Sequence, residues 1–259
     1  MTSVHELRVK LFADGADLKG IAQLASNPLI KGFTTNPTLM RKANVSDYRS
    51  FAREVLAIVP DRPVSFEVFS DEFAQMERQA NEIASWGPNV YVKIPVTNTR
   101  AESSGPLIRR LSASGVQLNV TALMTPGQVA QVADCFAAGT RNFVSVFAGR
   151  IADTGRDPVP LMAEAVHILR ACPGAELIWA SPRELLNIIQ ADSIHCHIIT
   201  ATSDILAKLP LIGKDLLEFS LETVQMFRHD ALKAGFQLEI PQPLPAPKLA
   251  EARAGSLSA

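Results

Sequence analysis

The sequence lacks the features of several protein classes. It has only three cysteines (Cys135, Cys172 and Cys196) and no CxxC, so we expect no disulfide framework and a reducing, cytoplasmic setting. No apolar run approaches the ~20 residues that a membrane span needs, and no apolar segment with a cleavage signature follows Met1. The formal charge is −1. We therefore expect no membrane partner, no secretion signal and no nucleic-acid partner.

Motifs of the common cofactor classes are also missing. No GxGxxG follows a predicted strand, and GKD at 213–215 lacks the preceding glycine-rich turn of a P-loop. The run HCH contains His195 and His197, which alternate on a predicted strand and so share a face, but it supplies no third metal ligand. We expect neither a cofactor nor a metal site.

What the sequence does have is a regular alternation of short β-type runs and longer amphipathic runs. One amphipathic run, 71–86, has apolar residues at helical spacing. Helix starts are indicated by Asp71, Thr125-Pro126 and Ser181-Pro182. The predicted strands are 8–14, 31–36, 64–69, 89–96, 116–121, 142–147, 176–181 and 193–200.

Polar residues recur at or near the carboxyl ends of these strands. Successive members are separated by 22, 31, 26, 26, 26 and 36 residues, about one βα unit each. In a closed barrel all strand ends surround one mouth, whereas an open sheet binds its ligand between two or three strands. The pattern therefore predicts an α/β fold, a (β/α)8 TIM barrel. The recurring residues are Asp14, Asn36, Glu67, Lys93, Asn119, Ser145 and Ser181.

The end of the chain has a different composition. Residues 213–236 show helical spacing of apolar residues, so we expect additional C-terminal helices. The stretch 241–259 is rich in Pro, Ala and Ser. We predict one barrel domain over 1–240, followed by a tail over 241–259.

Lys93 stands in the apolar run NVYVKIPVTN, where an ammonium group is costly. Burial favours the neutral amine, which attacks carbonyl carbon to give a carbinolamine and then a Schiff base, the strategy of class I aldolases. Asp14 and Glu67 are the acid/base candidates for the proton transfers. Taken alone, Lys93 is explained as well by a salt bridge with Glu67, and Asp14 by a turn.

Other strand-end residues suit a phosphorylated polyol. Asn36 and Asn119 offer donors and acceptors to hydroxyl groups, although each alone is typical of a turn. Arg150 and Arg183 follow the sixth and seventh predicted strands. A helix beginning at Ser181-Pro182 beside an arginine would form an anion site, although an isolated arginine is more often a surface charge.

Across about residues 8–200 the chain resembles the transaldolase family of class I aldolases, which includes the fructose-6-phosphate aldolases. Seven motifs occur in order at family-like spacing, and any one of them alone would be weak. They are FADGAD with Asp14, GFTTNPT (32–38), VSFEV (64–68), VYVKIPVT (90–97), GVQLNVTALM (115–124), VSVFAGRI (144–151) and WASPRE (179–184).

The resemblance implies a reactive lysine, Lys93, on the fourth strand of a barrel. It also implies that Asp14 is the base during carbon–carbon cleavage, and that Glu67 shuttles protons through a water also held by Thr121. Further residues would contact the substrate, a sugar phosphate. Those at the dihydroxyacetone unit would be Asn36, Asn119, Thr34 and Ser145, and those at the phosphate Arg150, Arg183 and Ser181. Phe147 would also be a substrate-binding residue.

Two positions distinguish the branches of the family. Transaldolases carry Glu and Phe where the fructose-6-phosphate aldolases carry Gln and Tyr, and this chain has Glu67 and Phe147. The resemblance therefore implies a cofactor-free transaldolase, a homo-oligomer, that moves a dihydroxyacetone unit from a ketose phosphate to an aldose phosphate in carbohydrate metabolism, as in the pentose phosphate pathway.

Four alternatives stay open. One is an aldolase that releases dihydroxyacetone. Another is a specialised sugar-building transaldolase, since Val146 and Pro182 depart from the residues usual in the family. The third is a barrel that binds sugar phosphates without catalysis. The least favoured is a metal-dependent aldolase using His195 and His197.

Overall fold

A computed structural model describes residues 4–238 of the chain. The chain divides into two units, with the division between residues 213 and 214. Among the described helices, none combines the length and apolar character needed to cross a membrane. The tail predicted for 241–259 lies outside the described residues, and the single domain predicted over 1–240 stays a prediction.

The first unit is a closed barrel of eight parallel strands in chain order, with β8 paired to β1. This confirms the predicted (β/α)8 barrel. Most strand residues are buried because helices cover the outer face, which explains the apolar runs in the sequence. The strands are β1 (Lys10–Asp14), β2 (Ile30–Thr34), β3 (Val64–Glu67), β4 (Val90–Pro95), β5 (Leu118–Leu123), β6 (Asn142–Val146), β7 (Ala175–Trp179) and β8 (Ile198–Ala201).

Ten α-helices accompany the described strands of this unit. They are α1 (Leu18–Ala25), α2 (Pro37–Lys42), α3 (Tyr48–Ile58), α4 (Phe73–Ala84), α5 (Gly105–Ala113), α6 (Pro126–Ala133), α7 (Ala148–Ala152), α8 (Pro158–Leu169), α9 (Leu186–Ser193) and α10 (Ser203–Leu206).

The described part of the second unit is built around one helix, α11 (Leu216–Ala234). Asp215 caps it, accepting hydrogen bonds from the backbone N–H groups of the second and third helical residues. Gly235 ends it in the left-handed conformation, with φ 65°. The expected C-terminal helix is therefore present.

The predicted helix start at Thr125-Pro126 is confirmed. Thr125 and Gln128 form a capping box at the start of α6. The cap predicted at Asp71 is wrong by one residue, since Glu72 precedes α4, which begins at Phe73. Asp71 instead accepts hydrogen bonds from the N–H and the hydroxyl of Thr99, at 2.8 and 2.7 Å.

The strand predicted over 193–200 is wrong in its first half. Ser193 is the last residue of α9, His195 has a positive φ of 60°, and β8 begins at Ile198. The run of apolar and β-prone residues favoured a strand in the prediction. The turn after α9 uses the left-handed His195 and no glycine, so the sequence contains no glycine signal for the helix end.

Large side chains fill the amino-terminal half of the barrel interior. The rings of Tyr91 and Phe143 stack with centroids 4.0 Å apart, and Phe12 meets Phe143 edge-on at 5.7 Å. Ile178, Ala180 and Ile198 belong to the same buried cluster. These side chains fill the barrel interior on the amino-terminal side of the strand-end residues, as is usual in such barrels.

Gly32 is required by this packing. It lies opposite Phe12 in the β1–β2 register, and a Cβ at position 32 would lie 2.5 Å from the Phe12 ring. We expect Gly32→Ala to lower the free energy of unfolding by about 1–3 kcal/mol, because the ring has no space to withdraw. Denaturant unfolding measures this. Adding Phe12→Leu should recover part of the loss, and a Gly32→Ala protein as stable as the wild type would contradict the packing argument.

Candidate active site

One cavity of about 470 Å³ opens at the carboxyl ends of the strands. All twelve residues named in the sequence analysis as catalytic or substrate-binding candidates line it. They are Asp14, Thr34, Asn36, Glu67, Lys93, Asn119, Thr121, Ser145, Phe147, Arg150, Ser181 and Arg183. The strand-end rule therefore located the cavity, and the roles of these residues stay predictions.

Lys93 lies at the base of this cavity and is only 6% exposed. The barrel register places it beside Glu67 on β3 and Asn119 on β5. Its Nζ lies 3.2 Å from Glu67 Oε2 and donates a hydrogen bond to the Thr35 carbonyl at 2.9 Å. The amine is thus held by two acceptors and faces the cavity, a geometry that suits both a structural ion pair and a reactive amine.

Asp14 ends β1 and accepts two side-chain hydrogen bonds. Thr34 Oγ1 donates to Oδ1 at 2.8 Å and Asn36 Nδ2 donates to Oδ2 at 3.3 Å. Burial raises the pKa of Asp14 above its ordinary value of 3.8, although nearby Lys93 and the two hydrogen bonds oppose the rise. A carboxyl group whose pKa is raised in a polar cavity is suited to general acid–base catalysis.

The Thr34 hydroxyl stabilises the ionised form of Asp14, so its removal should raise the pKa of Asp14 further. We expect this result for Thr34→Val, measured by ¹³C NMR titration of the Asp14 carboxyl group. A raised pKa in the folded state means that stability falls as pH rises through that pKa.

Thr34→Val should therefore lower the free energy of unfolding through Asp14 only when Asp14 is ionised. This part of the loss should be present above the Asp14 pKa and absent at low pH. Thr38→Val, also at the cavity but not bonded to Asp14, is the matched control. An unchanged titration curve in Thr34→Val would contradict the assignment.

The Asn119 amide is fixed at both ends. Its Nδ2 donates to Ser65 Oγ at 3.0 Å, and Ser145 Oγ donates to its Oδ1 at 2.7 Å. All three side chains are buried. Because each end has a partner, the amide keeps one orientation against the cavity.

A β-bulge shapes the wall next to Asn119. The β5–β6 register shifts between Val120 and Leu123, and Ala122 has a positive φ of 66°. The bulge leaves Thr121 at the cavity, where its buried hydroxyl has no hydrogen-bond partner among residues 4–238. A buried hydroxyl of this kind is suited to a substrate or water partner.

The two arginines have different surroundings. The Arg150 guanidinium lies 5.3 Å from the centre of the Phe147 ring. Arg183 forms a two-point ion pair with Asp153, in which Arg183 Nε lies 2.8 Å from Asp153 Oδ1. Its Nη1 also donates to Ser181 Oγ at 3.0 Å. Arg183 therefore lines the cavity with its charge already partly balanced.

The helix predicted to begin at Ser181-Pro182 is absent at that point. Ser181 has a positive φ of 59°, and α9 begins only at Leu186. The helix-terminus anion site expected there is therefore wrong. The chain instead turns beside Gly149, where an added Cβ would lie 1.6 Å from the Ser181 carbonyl oxygen. This close approach excludes any side chain at position 149.

Six residues that line the cavity were not singled out from the sequence: Pro37, Thr38, Leu39, Lys42, Ala180 and Thr200. Thr200 lies on β8 and its hydroxyl is 2.6 Å from the Thr34 hydroxyl. The strand-end rule would have found it, had it been applied to the eighth strand. Lys42 comes from the last turn of α2, where no sequence pattern indicates a cavity residue.

The histidines do not share a strand face. His197 Nδ1 accepts a hydrogen bond from the Leu177 N–H at 3.1 Å, and His195 lies in the turn before β8. Burial lowers the pKa of His197 below its ordinary value. Over residues 4–238, no three His, Cys, Asp or Glu side chains gather in a way that could hold a metal ion. The three cysteines are free thiols.

The fold and the cavity define the class: a (β/α)8 barrel whose polar and ionisable side chains converge on the carboxyl-terminal mouth. Comparison with solved structures agrees on the fold. KGPDC from Streptococcus mutans superposes with a TM-score of 0.53 at 11% identity, over 76% of this chain and 89% of that one. A 2,3-dimethylmalate lyase superposes with a TM-score of 0.50 at 11% identity, over 94% and 89%.

Sequence comparison gives the family. The model of the family described as Transaldolase/Fructose-6-phosphate aldolase matches residues 11–244. A protein of Dehalococcoides mccartyi named "Probable transaldolase" is 34% identical over 82% of this chain and 96% of its own length. Another of that name from Thermoanaerobacter sp. is 31% identical over 89% and 100%. The chain belongs to the transaldolase/fructose-6-phosphate aldolase family and is an enzyme of the aldolase/transaldolase type.

Proposed function

We propose that the protein is a transaldolase that moves a dihydroxyacetone unit from a ketose phosphate to an aldose phosphate through a Schiff base on Lys93. The observation that carries the proposal is the buried Lys93 amine, 3.2 Å from the Glu67 carboxylate in the same cavity as Asp14. A buried amine beside a proton acceptor is the arrangement that carbinolamine chemistry needs.

In the first half-reaction the Lys93 amine attacks the ketose carbonyl carbon and forms a carbinolamine. Glu67 supplies a proton to the departing hydroxyl group, water leaves and an iminium forms. The unpartnered Thr121 hydroxyl supports the inference that a water shared by Glu67 and Thr121 relays this proton.

Asp14 would then take the proton of the substrate hydroxyl next to the bond that breaks. The carbon–carbon bond cleaves, an aldehyde leaves, and the electron pair forms an enamine on Lys93. Attack of the enamine on a second aldehyde, followed by hydrolysis of the iminium, completes the transfer. Asn36 donates to Asp14 and Asn119 has a fixed orientation, so both are placed to bind hydroxyl groups of the dihydroxyacetone unit.

The phosphate group would be bound at the other end of the cavity. Arg150 presents its guanidinium there, and Arg183 and Ser181 lie next to each other at 3.0 Å. Because Asp153 already pairs with Arg183, we infer that Arg150 contributes more of the charge that attracts the phosphate.

The proposal favours a transferase over an aldolase because Glu67 and Phe147 are the residues of the transaldolase branch. The test is product analysis with fructose 6-phosphate, alone and with erythrose 4-phosphate. We expect a seven-carbon ketose phosphate only with the acceptor. Release of dihydroxyacetone at the same rate without an acceptor would contradict transfer and support the aldolase.

Borohydride reduction tests the covalent step separately. In the presence of fructose 6-phosphate it should add the reduced substrate fragment to Lys93, located by peptide mapping. Failure to trap an adduct would contradict both Schiff-base functions and favour a barrel that binds sugar phosphates without catalysis.

A further inference from the structure

The β2 strand is too short to complete its pairing with β3. The ladder between them runs through Phe33 N–H to the Pro63 carbonyl at 2.8 Å and Thr35 N–H to the Ser65 carbonyl at 3.2 Å. The chain then leaves the sheet, because Asn36 caps α2. Glu67, at the end of β3, is therefore left without a strand on the β2 side.

The alternation of the parallel ladder predicts the two bonds that are missing. Its next steps would join the Glu67 N–H to the Thr35 carbonyl, and the N–H of residue 37 to the Glu67 carbonyl. Residue 37 is proline, which has no N–H. The Thr35 carbonyl instead accepts the hydrogen bond from Lys93 Nζ at 2.9 Å. The Thr35 carbonyl, a ladder acceptor, is thus used by Lys93 and not by the Glu67 N–H.

One phenol replaces both missing partners. Tyr48, the first residue of α3, accepts a hydrogen bond from the Glu67 N–H at 2.7 Å and approaches the Glu67 carbonyl at 3.0 Å, where its hydroxyl donates. A hydroxyl group can do both because it has one proton and two lone pairs. Burial raises the pKa of Tyr48 above its ordinary value, so the proton stays on the oxygen.

The ring of Tyr48 is held from three sides. Its centroid lies 4.6 Å from that of Phe69, 5.5 Å from Trp86 and 6.1 Å from Phe66. Tyr48 does not line the active-site cavity. It therefore touches Glu67 from outside the barrel, with an orientation fixed by packing.

We propose that Tyr48 is a positioning residue for the Schiff-base site. By binding the Glu67 backbone, Tyr48 fixes the origin of the Glu67 side chain and leaves the Thr35 carbonyl to Lys93. Without it, the Glu67 N–H competes with Lys93 for that carbonyl. The inference rests on the proposed Schiff-base function, and it adds a residue that no strand-end motif contains.

The test is Tyr48→Phe, which removes the hydroxyl and keeps the ring in its aromatic cluster. We expect kcat to fall about tenfold or more, because the Glu67 backbone loses both hydrogen bonds to the phenol. KM should be unchanged, because Tyr48 does not line the substrate cavity. The matched control is Tyr91→Phe, which changes the other tyrosine of the chain, below the cavity in the barrel interior. The control should keep the wild-type kcat.

A double-mutant cycle separates positioning from general stabilisation. The rate of borohydride-trappable adduct formation is measured for Tyr48→Phe, Glu67→Gln and the double variant, at a temperature well below every Tm. If Tyr48 acts through Glu67, Tyr48→Phe should reduce the rate of adduct formation by a much smaller factor in the Glu67→Gln protein than in the wild type.

A Tyr48→Phe protein with wild-type kcat would overturn the inference. Equal costs in both backgrounds would overturn its main claim, that Tyr48 positions the Glu67 side chain. A wild-type protein that forms no trapped adduct would instead contradict the proposed function itself, so the two failures are distinguishable.

Discussion

With Lys93 replaced by methionine, we expect turnover to fall by at least about 10⁴-fold and borohydride labelling to disappear, because the Lys93 amine is the proposed site of the covalent intermediate. Lys93→Met removes the nucleophile and leaves an apolar side chain of similar length at this position in β4. Activity assays and mass spectrometry of the reduced protein measure the two effects. Sugar-phosphate binding, followed by calorimetry, should persist, because the arginines and the asparagine amides remain.

The control is Lys10→Met, which removes a lysine from β1 of the same barrel. Lys10 pairs with Glu176 and its side chain is 48% exposed. Its replacement should leave labelling intact. Labelled Lys93→Met protein, or labelling lost in Lys10→Met, would contradict the assignment of the nucleophile. Circular dichroism checks that Lys93→Met is folded, since the change leaves the Glu67 carboxylate without its cation.

The second large effect concerns Asp14. We expect Asp14→Asn to lower kcat by about 10²–10⁴-fold, because an amide cannot take the hydroxyl proton during carbon–carbon cleavage. The Schiff base forms before that step, so borohydride should still label Lys93 in this variant. Retained labelling with lost turnover is the result that assigns Asp14 to cleavage.

Asp17→Asn is the matched control, three residues further along the same loop. Asp17 caps α1 and accepts a hydrogen bond from the Gly20 N–H at 2.8 Å, a role that asparagine can fill. It should keep wild-type activity. In the wild type, turnover should decline with acid at a pH above 3.8, because burial raises the pKa of Asp14 and only its ionised form acts as a base. Asp14→Asn turning over at the wild-type rate would contradict the role.

Much of the fold could be predicted from the sequence because two independent patterns agree. Buried parallel strands read as apolar runs, and the polar residues at their ends repeat at βα spacing. The register then makes neighbours of residues far apart in the chain, so that Lys93 lies beside both Glu67 and Asn119. Burying a polar or charged side chain in a strand costs free energy. When such residues recur at the same end of successive strands, they therefore indicate a common site.

The parts that could not be predicted depend on tertiary contacts. The segment containing Ser181 has the composition of a helix start, but Ser181 has a positive φ and its carbonyl lies against Gly149, far away in the sequence. The pairing of Arg183 with Asp153 joins two loops 30 residues apart. Tyr48 acts on Glu67 through its hydroxyl, and no local pattern distinguishes such a tyrosine from any other in an amphipathic helix.

The contact between Gly149 and the Ser181 carbonyl has a mechanical consequence. Arg150 follows Gly149 directly, and Arg183 lies two residues after Ser181, so the segments that carry the two arginines touch through their main chains. A contact between main-chain atoms cannot be relieved by a change of side-chain rotamer. The two arginine side chains therefore start from backbone segments that are in direct contact. A bulkier ligand at this end of the cavity must therefore displace both segments together, which makes the width of the mouth here a property of the backbone.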